Sequence, residues 1–171
     1  MTNTTRAKWA SMTVNDMEWH FNPRHAVSDS ERYAEARLEQ NQTALAQRDA
    51  DIRYGDQSMQ DLDIYPVALG DDLAPVHVFI HGGYWRSRVK EDFAFIGPAL
   101  NRHGILVVVI NYPLCPAVTL DVVVASARLA MDWVRREIQA YGGDPERITL
   151  SGQSSGAHLA AAILAQFLKT G

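Results

Sequence analysis

Residues 148–159 read Ile148-Thr149-Leu150-Ser151-Gly152-Gln153-Ser154-Ser155-Gly156-Ala157-His158-Leu159, and this stretch decides the fold. An apolar, β-prone run enters a turn of glycine and serine, and an alanine- and leucine-rich run typical of a helix follows. The pattern predicts a strand, a sharp turn and a helix, with Ser154 raised at the turn between the small residues Gly152 and Gly156. A serine hydroxyl is a weak nucleophile, and such a position lets it meet both a base and a substrate carbonyl.

A second motif lies upstream of this turn. The run from Val76 to Ile80 predicts a buried strand, which leads directly into His81-Gly82-Gly83-Tyr84-Trp85. Loops of this HGG type follow a strand in lipases and esterases and supply backbone N–H groups to the oxyanion, as does the residue after the nucleophile. The sequence therefore predicts a catalytic Ser154. The predicted oxyanion hole is formed by Gly82, Gly83, Tyr84 and Ser155.

Composition excludes several classes of protein. With 171 residues and 47% hydrophobic residues, the chain can bury one sizeable core. The net charge is −4 and the basic residues are scattered, so we expect no nucleic-acid or membrane partner. The single cysteine, Cys115, fits a reducing compartment, and the first residues carry no apolar signal sequence. We therefore expect a cytoplasmic protein. No metal-ligand spacing occurs, and we expect no cofactor.

Strands and helices are predicted to alternate along the chain. The predicted elements are a helix over 33–50 after a capping box at 28–31, an edge strand over 61–66, a strand over 76–80, a helix over 93–102, a buried strand over 105–110 and a helix after Thr119 that ends at 142–143. This order indicates an α/β fold, with a mostly parallel sheet and helices on both faces. We predict one such domain over residues 28–171, after an N-terminal extension over 1–27.

Four segments together resemble a known family. They are His81–Trp85, Asn111-Tyr112-Pro113, Gly143-Asp144-Pro145 and Gly152–His158. They are similar to the α/β-hydrolase branch related to hormone-sensitive lipase, and most similar to its kynurenine formamidase (arylformamidase) group. The resemblance extends over roughly residues 30–168, and it differs in having Gln153-Ser154-Ser155 where the group usually has His-Ser-Ala.

The resemblance implies a serine hydrolase that cleaves a small amide or ester through an acyl-enzyme on Ser154. An aryl formamide such as N-formylkynurenine is the leading substrate, and a short-chain carboxylester is the alternative. Members of this group continue for roughly another hundred residues, which carry the acid and the histidine of the triad. The resemblance therefore implies an α/β-hydrolase domain whose C-terminal strands are missing here, and a 171-residue chain that is inactive or very weak by itself.

No histidine within the chain is an obvious base. His77 and His103 are predicted at the edge of the sheet away from Ser154, because chemistry gathers at the carboxyl ends of parallel strands. His158 lies one helical turn beyond Ser154, and we expect its ring to point into the layer behind the site. His81 is expected to organise the oxyanion loop. A catalytically incomplete remnant that at most binds small molecules is thus a rival interpretation.

Two further expectations concern surfaces. Tyr84 and Trp85 are equally consistent with core aromatics and with the walls of a pocket for a flat substrate. The segment from Arg147 to Ser151 is expected to form an unpaired sheet edge, since the strand that pairs beside it in the family lies outside this sequence. An apolar edge of this kind is a template for another chain, so self-association or a homo-oligomer is expected.

Overall fold

The computed structural model of the chain describes residues 8–22, 25, 27–67, 70 and 72–170. It contains two compact units, Met1–Ala36 and Arg37–Gly171. The first seven residues of the predicted extension, on which the expected lack of a signal sequence depends, lie outside the described residues. The domain boundary after residue 27 stays a prediction.

The first unit contains a short helix that the sequence analysis missed. A 3-10 turn, Lys8–Ser11, precedes helix α1, Val14–Phe21. Thr13 caps this helix: its Oγ1 accepts a hydrogen bond from the Asp16 N–H at 3.1 Å, while the Asp16 carboxylate accepts one from the Thr13 N–H at 2.9 Å. This reciprocal capping satisfies two free N–H groups, and it explains why so short a segment is helical.

Five strands form one mixed sheet in the second unit. They are β1 (Asp49–Arg53), β2 (Asp61–Tyr65), β3 (Ala74–Ile80), β4 (Leu106–Ile110) and β5 (Gly143–Gly152), in the order β1-β2-β4-β3-β5. Strand β3 is parallel to both β4 and β5, whereas β2 is antiparallel to both β1 and β4. The parallel half of the sheet therefore contains both of the strands that lead into the predicted site.

Helices cover both faces of the sheet, as predicted. The remaining α-helices are α2 (Ser30–Leu45), α3 (Ile96–Asn101), α4 (Leu120–Glu137) and α5 (Ser155–Thr170). Alternate residues of β4 serve the two faces: Leu106, Val108 and Ile110 pack with residues of α4 and α5, and Val107 and Val109 pack with residues of α2 and α3. None of the described helices combines the length and the apolar character that a bilayer crossing requires.

Two predictions about the antiparallel half were wrong. The helix predicted over 33–50 ends at Leu45, and Asp49–Arg53 forms strand β1 instead. The strand predicted at the sheet edge, β2, lies between β1 and β4 and buries Leu62 and Ile64 completely. Strand β1 has no apolar alternation of its own. It forms because it pairs with β2, and β1 therefore takes the edge position that was predicted for β2.

Strand β5 ends the sheet on the other side. Within the described part of the chain it pairs only with β3, so its outer row of N–H and C=O groups has no partner strand. Ile148 and Leu150 of this strand are partly exposed, and they line an apolar groove with Ile163, Leu164 and Phe167 of α5. This arrangement agrees with the unpaired edge expected for residues 147–151. Sheet edges of this kind favour pairing with another chain.

We propose that the 171-residue chain self-associates through this edge. Sedimentation velocity over a concentration series should show dimers or larger species, and replacing Ile148 with lysine should shift the distribution toward monomer because a charge blunts an edge. Gln139→Lys adds the same charge at an exposed position outside the strand and should leave the distribution unchanged. A monodisperse wild-type monomer at every concentration would contradict the proposal.

Candidate active site

Ser154 lies in the two-residue turn between strand β5 and helix α5, in a left-handed backbone conformation. Its φ is 52°, in a region that residues other than glycine rarely adopt, and its side chain is exposed. Such a conformation costs about 1–3 kcal/mol and persists only where the surroundings enforce it. Two hydrogen bonds close the turn around it: the Gly156 N–H donates to the Gln153 carbonyl at 2.8 Å, and the Ala157 N–H donates to the Ser154 carbonyl at 2.9 Å.

The glycines of the turn allow the backbone segments around it to pack closely. A β-carbon on Gly156 would collide with the carbonyl oxygen of Ile80, and one on Gly152 would collide with the backbone of Gly156. The Gln153 N–H also donates to the Ile80 carbonyl, at 3.1 Å. The first turn of α5 therefore lies directly against the end of β3, where the HGG loop begins.

The HGG loop runs beside the serine turn. A β-carbon on Gly82 would stand 2.8 Å from the Gln153 carbonyl oxygen and 3.3 Å from Cβ of Ser154. None of the four predicted oxyanion donors gives its backbone N–H to another described residue; these are Gly82, Gly83, Tyr84 and Ser155. Unpaired N–H groups beside a raised serine are what an oxyanion hole requires. The structure thus places the start of the HGG loop, at Gly82, against the serine turn.

Internal hydrogen bonds stabilise the strained backbone conformation of the loop. Gly83 has a φ of 120°, Tyr84 of 55° and Trp85 of 57°. The Gly83 carbonyl accepts hydrogen bonds from the Arg86 and Ser87 N–H groups, at 3.0 and 3.1 Å. The Cys115 N–H donates to the Trp85 carbonyl at 2.8 Å, which fixes the loop to the segment after β4.

His81 is fully buried at the root of the loop. Its Nδ1 lies 2.8 Å from the Gly82 carbonyl oxygen, and because a carbonyl only accepts, Nδ1 carries the hydrogen. The ring stacks on Tyr112, with centroids 4.3 Å apart, and burial lowers its pKa. The Tyr112 hydroxyl donates to the His81 carbonyl at 2.8 Å. A neutral, enclosed ring orients the loop, as predicted, and cannot reach a substrate as a base.

The other histidines near the site differ in their surroundings. The prediction that the His158 ring points into the layer behind the site was wrong: His158 is exposed, and its ring meets Trp85 edge-on with centroids 5.3 Å apart. The buried side of α5 instead carries Leu159 and Ile163. The two ring nitrogens of His77 lie 2.8 Å from the hydroxyls of Thr149 and Ser151, so both are occupied.

The two loop aromatics have different environments. Trp85 is partly buried against the core cluster shared by α4 and α5, which agrees with the core interpretation. Tyr84 is 68% exposed, so it is not a core residue. Its exposed side chain, next to Gly83 in the HGG loop, is available to a ligand.

Comparison with known proteins identifies the family. The sequence profile of the BD-FAE family matches residues 62–168, which include both the HGG loop and the serine turn. The chain belongs to the BD-FAE family.

Two curated relatives and a solved structure show the breadth of the similarity. Isoprenylcysteine alpha-carbonyl methylesterase ICME of Arabidopsis thaliana is 41% identical over 113 residues, which are 66% of this chain and 26% of that protein. Kynurenine formamidase of Salmo salar is 31% identical over 167 residues, which are 92% of this chain and 55% of that protein. The crystal structure of esterase B from Lactobacillus rhamnosis HN001 is 23% identical with a TM-score of 0.63, over 77% of this chain and 49% of that one.

These matches confirm the α/β-hydrolase fold of the BD-FAE chain. They also show its extent: the chain spans about a quarter of the methylesterase and about half of the formamidase. The arrangement of the serine turn and the HGG loop lies entirely within the matched residues.

Replacing Gly156 with alanine should destabilise this BD-FAE chain strongly. The new methyl group would collide with the Ile80 carbonyl, and overpacking of this kind costs about 1–3 kcal/mol or more. Gly142→Ala is a suitable control, because Gly142 has a φ of 83° but open space around it, so only backbone strain of about 1 kcal/mol is expected. Urea denaturation would measure both. Equal losses in the two variants would contradict the close packing described here.

The burial of His81 should make the chain less stable in mild acid. Its pKa is lowered in the folded state, so the unfolded chain binds the proton more readily. Stability is therefore complete above the ordinary histidine pKa of about 6.5 and falls as the pH drops below it, by at most about 1.4 kcal/mol per pH unit. Urea denaturation between pH 7.5 and 5.5 should show this slope, and His81→Phe should reduce it. Identical slopes in the two proteins would contradict the prediction.

Proposed function

We propose that the whole protein is a serine hydrolase that cleaves a small amide or ester with Ser154 as its nucleophile. One observation carries the proposal: Ser154 occupies a left-handed turn against Gly82, and no described residue uses the backbone N–H groups of the four predicted oxyanion donors. Ser154 Oγ would attack the substrate carbonyl, and the N–H groups of Gly83, Tyr84 and Ser155 would hold the oxygen as it becomes negative. Collapse of the tetrahedral intermediate would expel the amine or alcohol and leave an acyl-enzyme on Ser154. Water would then hydrolyse the acyl-enzyme and release the acid.

An aryl formamide such as N-formylkynurenine is the substrate that we favour. The salmon kynurenine formamidase matches 92% of this chain, whereas the plant methylesterase, although more similar in sequence, matches 66%. Tyr84 is exposed in the HGG loop, where a flat ring could lie on it. A formyl group also needs little room on the acyl side of the site. A short-chain carboxylester is the alternative.

The base and its acidic partner are proposed to lie outside the 171 residues. His81 is enclosed and His77 has both nitrogens engaged, so neither supports a role as the base. The rival proposal is a remnant that binds small molecules without turning them over. We further propose a cytoplasmic location, because a single cysteine fits a reducing compartment.

The decisive experiment uses the protein with all of the sequence that its gene encodes after residue 171. Aryl formamides and p-nitrophenyl esters of increasing acyl length should be compared by kcat/KM. Ser154→Ala should lower turnover by at least about 10³-fold, because it removes the nucleophile of a serine mechanism. Ser58→Ala, at an exposed serine in the turn between β1 and β2, is the control. Unchanged turnover in Ser154→Ala would refute the mechanism.

A fluorophosphonate probe separates catalysis from binding in the 171-residue chain itself. Slow or negligible labelling of Ser154 is expected, since an unactivated serine is a weak nucleophile. Rapid, stoichiometric labelling would show that a base is present within the chain, and the remnant proposal would then be wrong.

A further inference from the structure

The HGG loop and its continuation contain an unusual concentration of backbone strain. Gly83, Tyr84, Trp85 and Arg88 all have positive φ values, between 55° and 120°, within six residues. Three of the four are not glycine, so each costs about 1–3 kcal/mol that other contacts must offset. The backbone hydrogen bonds inside the loop do not involve Arg88, whose guanidinium instead lies 3.6 Å from an Asp92 carboxylate oxygen. Contacts made by residues after Arg88 must therefore hold the far end of the loop.

The loop is held at its two ends by adjacent residues. Asn111 and Tyr112 follow directly after β4, and the Tyr112 hydroxyl donates to the His81 carbonyl at the near end. At the far end, the Lys90 N–H donates to Asn111 Oδ1 at 2.8 Å. Asn111 is in turn fixed to β2, because its Nδ2 donates to an Asp61 carboxylate oxygen at 3.0 Å. Its carbonyl also accepts a hydrogen bond from the buried Tyr54 hydroxyl, at 2.7 Å.

The side chain of Lys90 provides a second attachment at the same point. The residue is 1% exposed, and its ammonium lies 2.6 Å from carboxylate oxygens of Asp51 and Glu91 and 3.2 Å from those of Asp61 and Asp63. Burial alone would lower the pKa of this lysine, but hydrogen bonds to Asp51 and Glu91, together with the carboxylate charges of Asp63 and Glu91, outweigh burial and raise the pKa. The ammonium is therefore charged, and its carboxylates belong to β1, β2 and its own turn.

This ionic cluster holds Lys90 in one position. Asp63 is fully buried, and it also forms an ion pair with Arg48 at 2.5 Å. A buried charge that loses its partner is strongly unfavourable, so Lys90 cannot leave the cluster at low cost. Both the backbone and the side chain of Lys90 are thus tied to the antiparallel half of the sheet, while the other end of the loop lies at the serine.

We propose that Lys90 and Asn111 are positioning residues for the oxyanion loop. They fix its far end, so that the left-handed path of Tyr84 and Trp85 is maintained and the unpaired N–H groups stay beside Ser154. The catalytic part of this inference rests on the proposed function, whereas the structural part does not. The loop should lose protection when the anchor is removed, whatever reaction the protein catalyses.

The test combines loop exchange with kinetics in the protein that carries all of its encoded sequence. Asn111→Ala removes the acceptor of the Lys90 N–H and keeps every charge, so it should fold. Lys90→Met removes the ammonium, and Lys90→Arg restores a positive charge. Val134→Ala, in the buried face of α4, is a control that lowers stability and leaves Lys90 and Asn111 unchanged.

Hydrogen exchange at the Arg86 and Ser87 amides, which are hydrogen-bonded inside the loop, should accelerate at least about tenfold in Asn111→Ala and in Lys90→Met if it folds. The acceleration should be smaller in Lys90→Arg, and Val134→Ala should match the wild type. With p-nitrophenyl acetate, kcat should fall about 10- to 100-fold with KM changed less than about threefold, because misplaced donors weaken the transition state and not ground-state binding. A folded Asn111→Ala protein with wild-type exchange at the Arg86 and Ser87 amides would overturn the proposal. So would faster exchange with an unchanged kcat. If exchange in the loop accelerates as expected but turnover does not depend on Ser154, the proposed function is wrong. The positioning role of Lys90 and Asn111 is then retained.

Discussion

The approach of the first turn of α5 to the end of β3 is the constraint on which the rest of the site depends. Gly156 has no room for a side chain against the Ile80 carbonyl, and Gly152 has none against Gly156. This contact sets how far Ser154 projects above the sheet. It also places the serine turn against the residue at which the HGG loop begins. One packing contact therefore sets the relative position of the serine turn and the HGG loop. A shift of one would move the other.

The sequence predicted the parallel half of the fold and the two turns that follow β3 and β5, because both depend on local sequence patterns. The runs leading into His81 and into Gly152 are apolar, and each is followed by a loop whose glycines are required for close approach. The antiparallel half could not be predicted in the same way. Strand β1 has no alternation of its own and depends on pairing with β2. The environment of His158 depends on where Trp85 packs, which no spacing reveals.

The cluster around Lys90 is the least predictable feature, because its charges come from segments that are far apart in the chain. Asp51, Asp61 and Asp63 look like solvated residues of weak strands, and Lys90 like an ordinary surface lysine. Only the sheet order brings them together, and only burial shows that the lysine is not at the surface. A pattern that could have pointed to it is the alternation in β2, which places Asp61 and Asp63 on one side of the strand.

Strand β4 connects this cluster to the site, because it is antiparallel to β2 on one side and parallel to β3 on the other. The residues at its end, Asn111 and Tyr112, accordingly reach the ionic cluster and the root of the HGG loop. Buried ion pairs contribute little net stability, since desolvation offsets their attraction, and apolar replacements are often as stable. Apolar packing, however, would not fix Lys90 in one direction. As a positioning device, the cluster would therefore hold a strained loop in a single arrangement beside Ser154, at the junction of the two halves of the sheet.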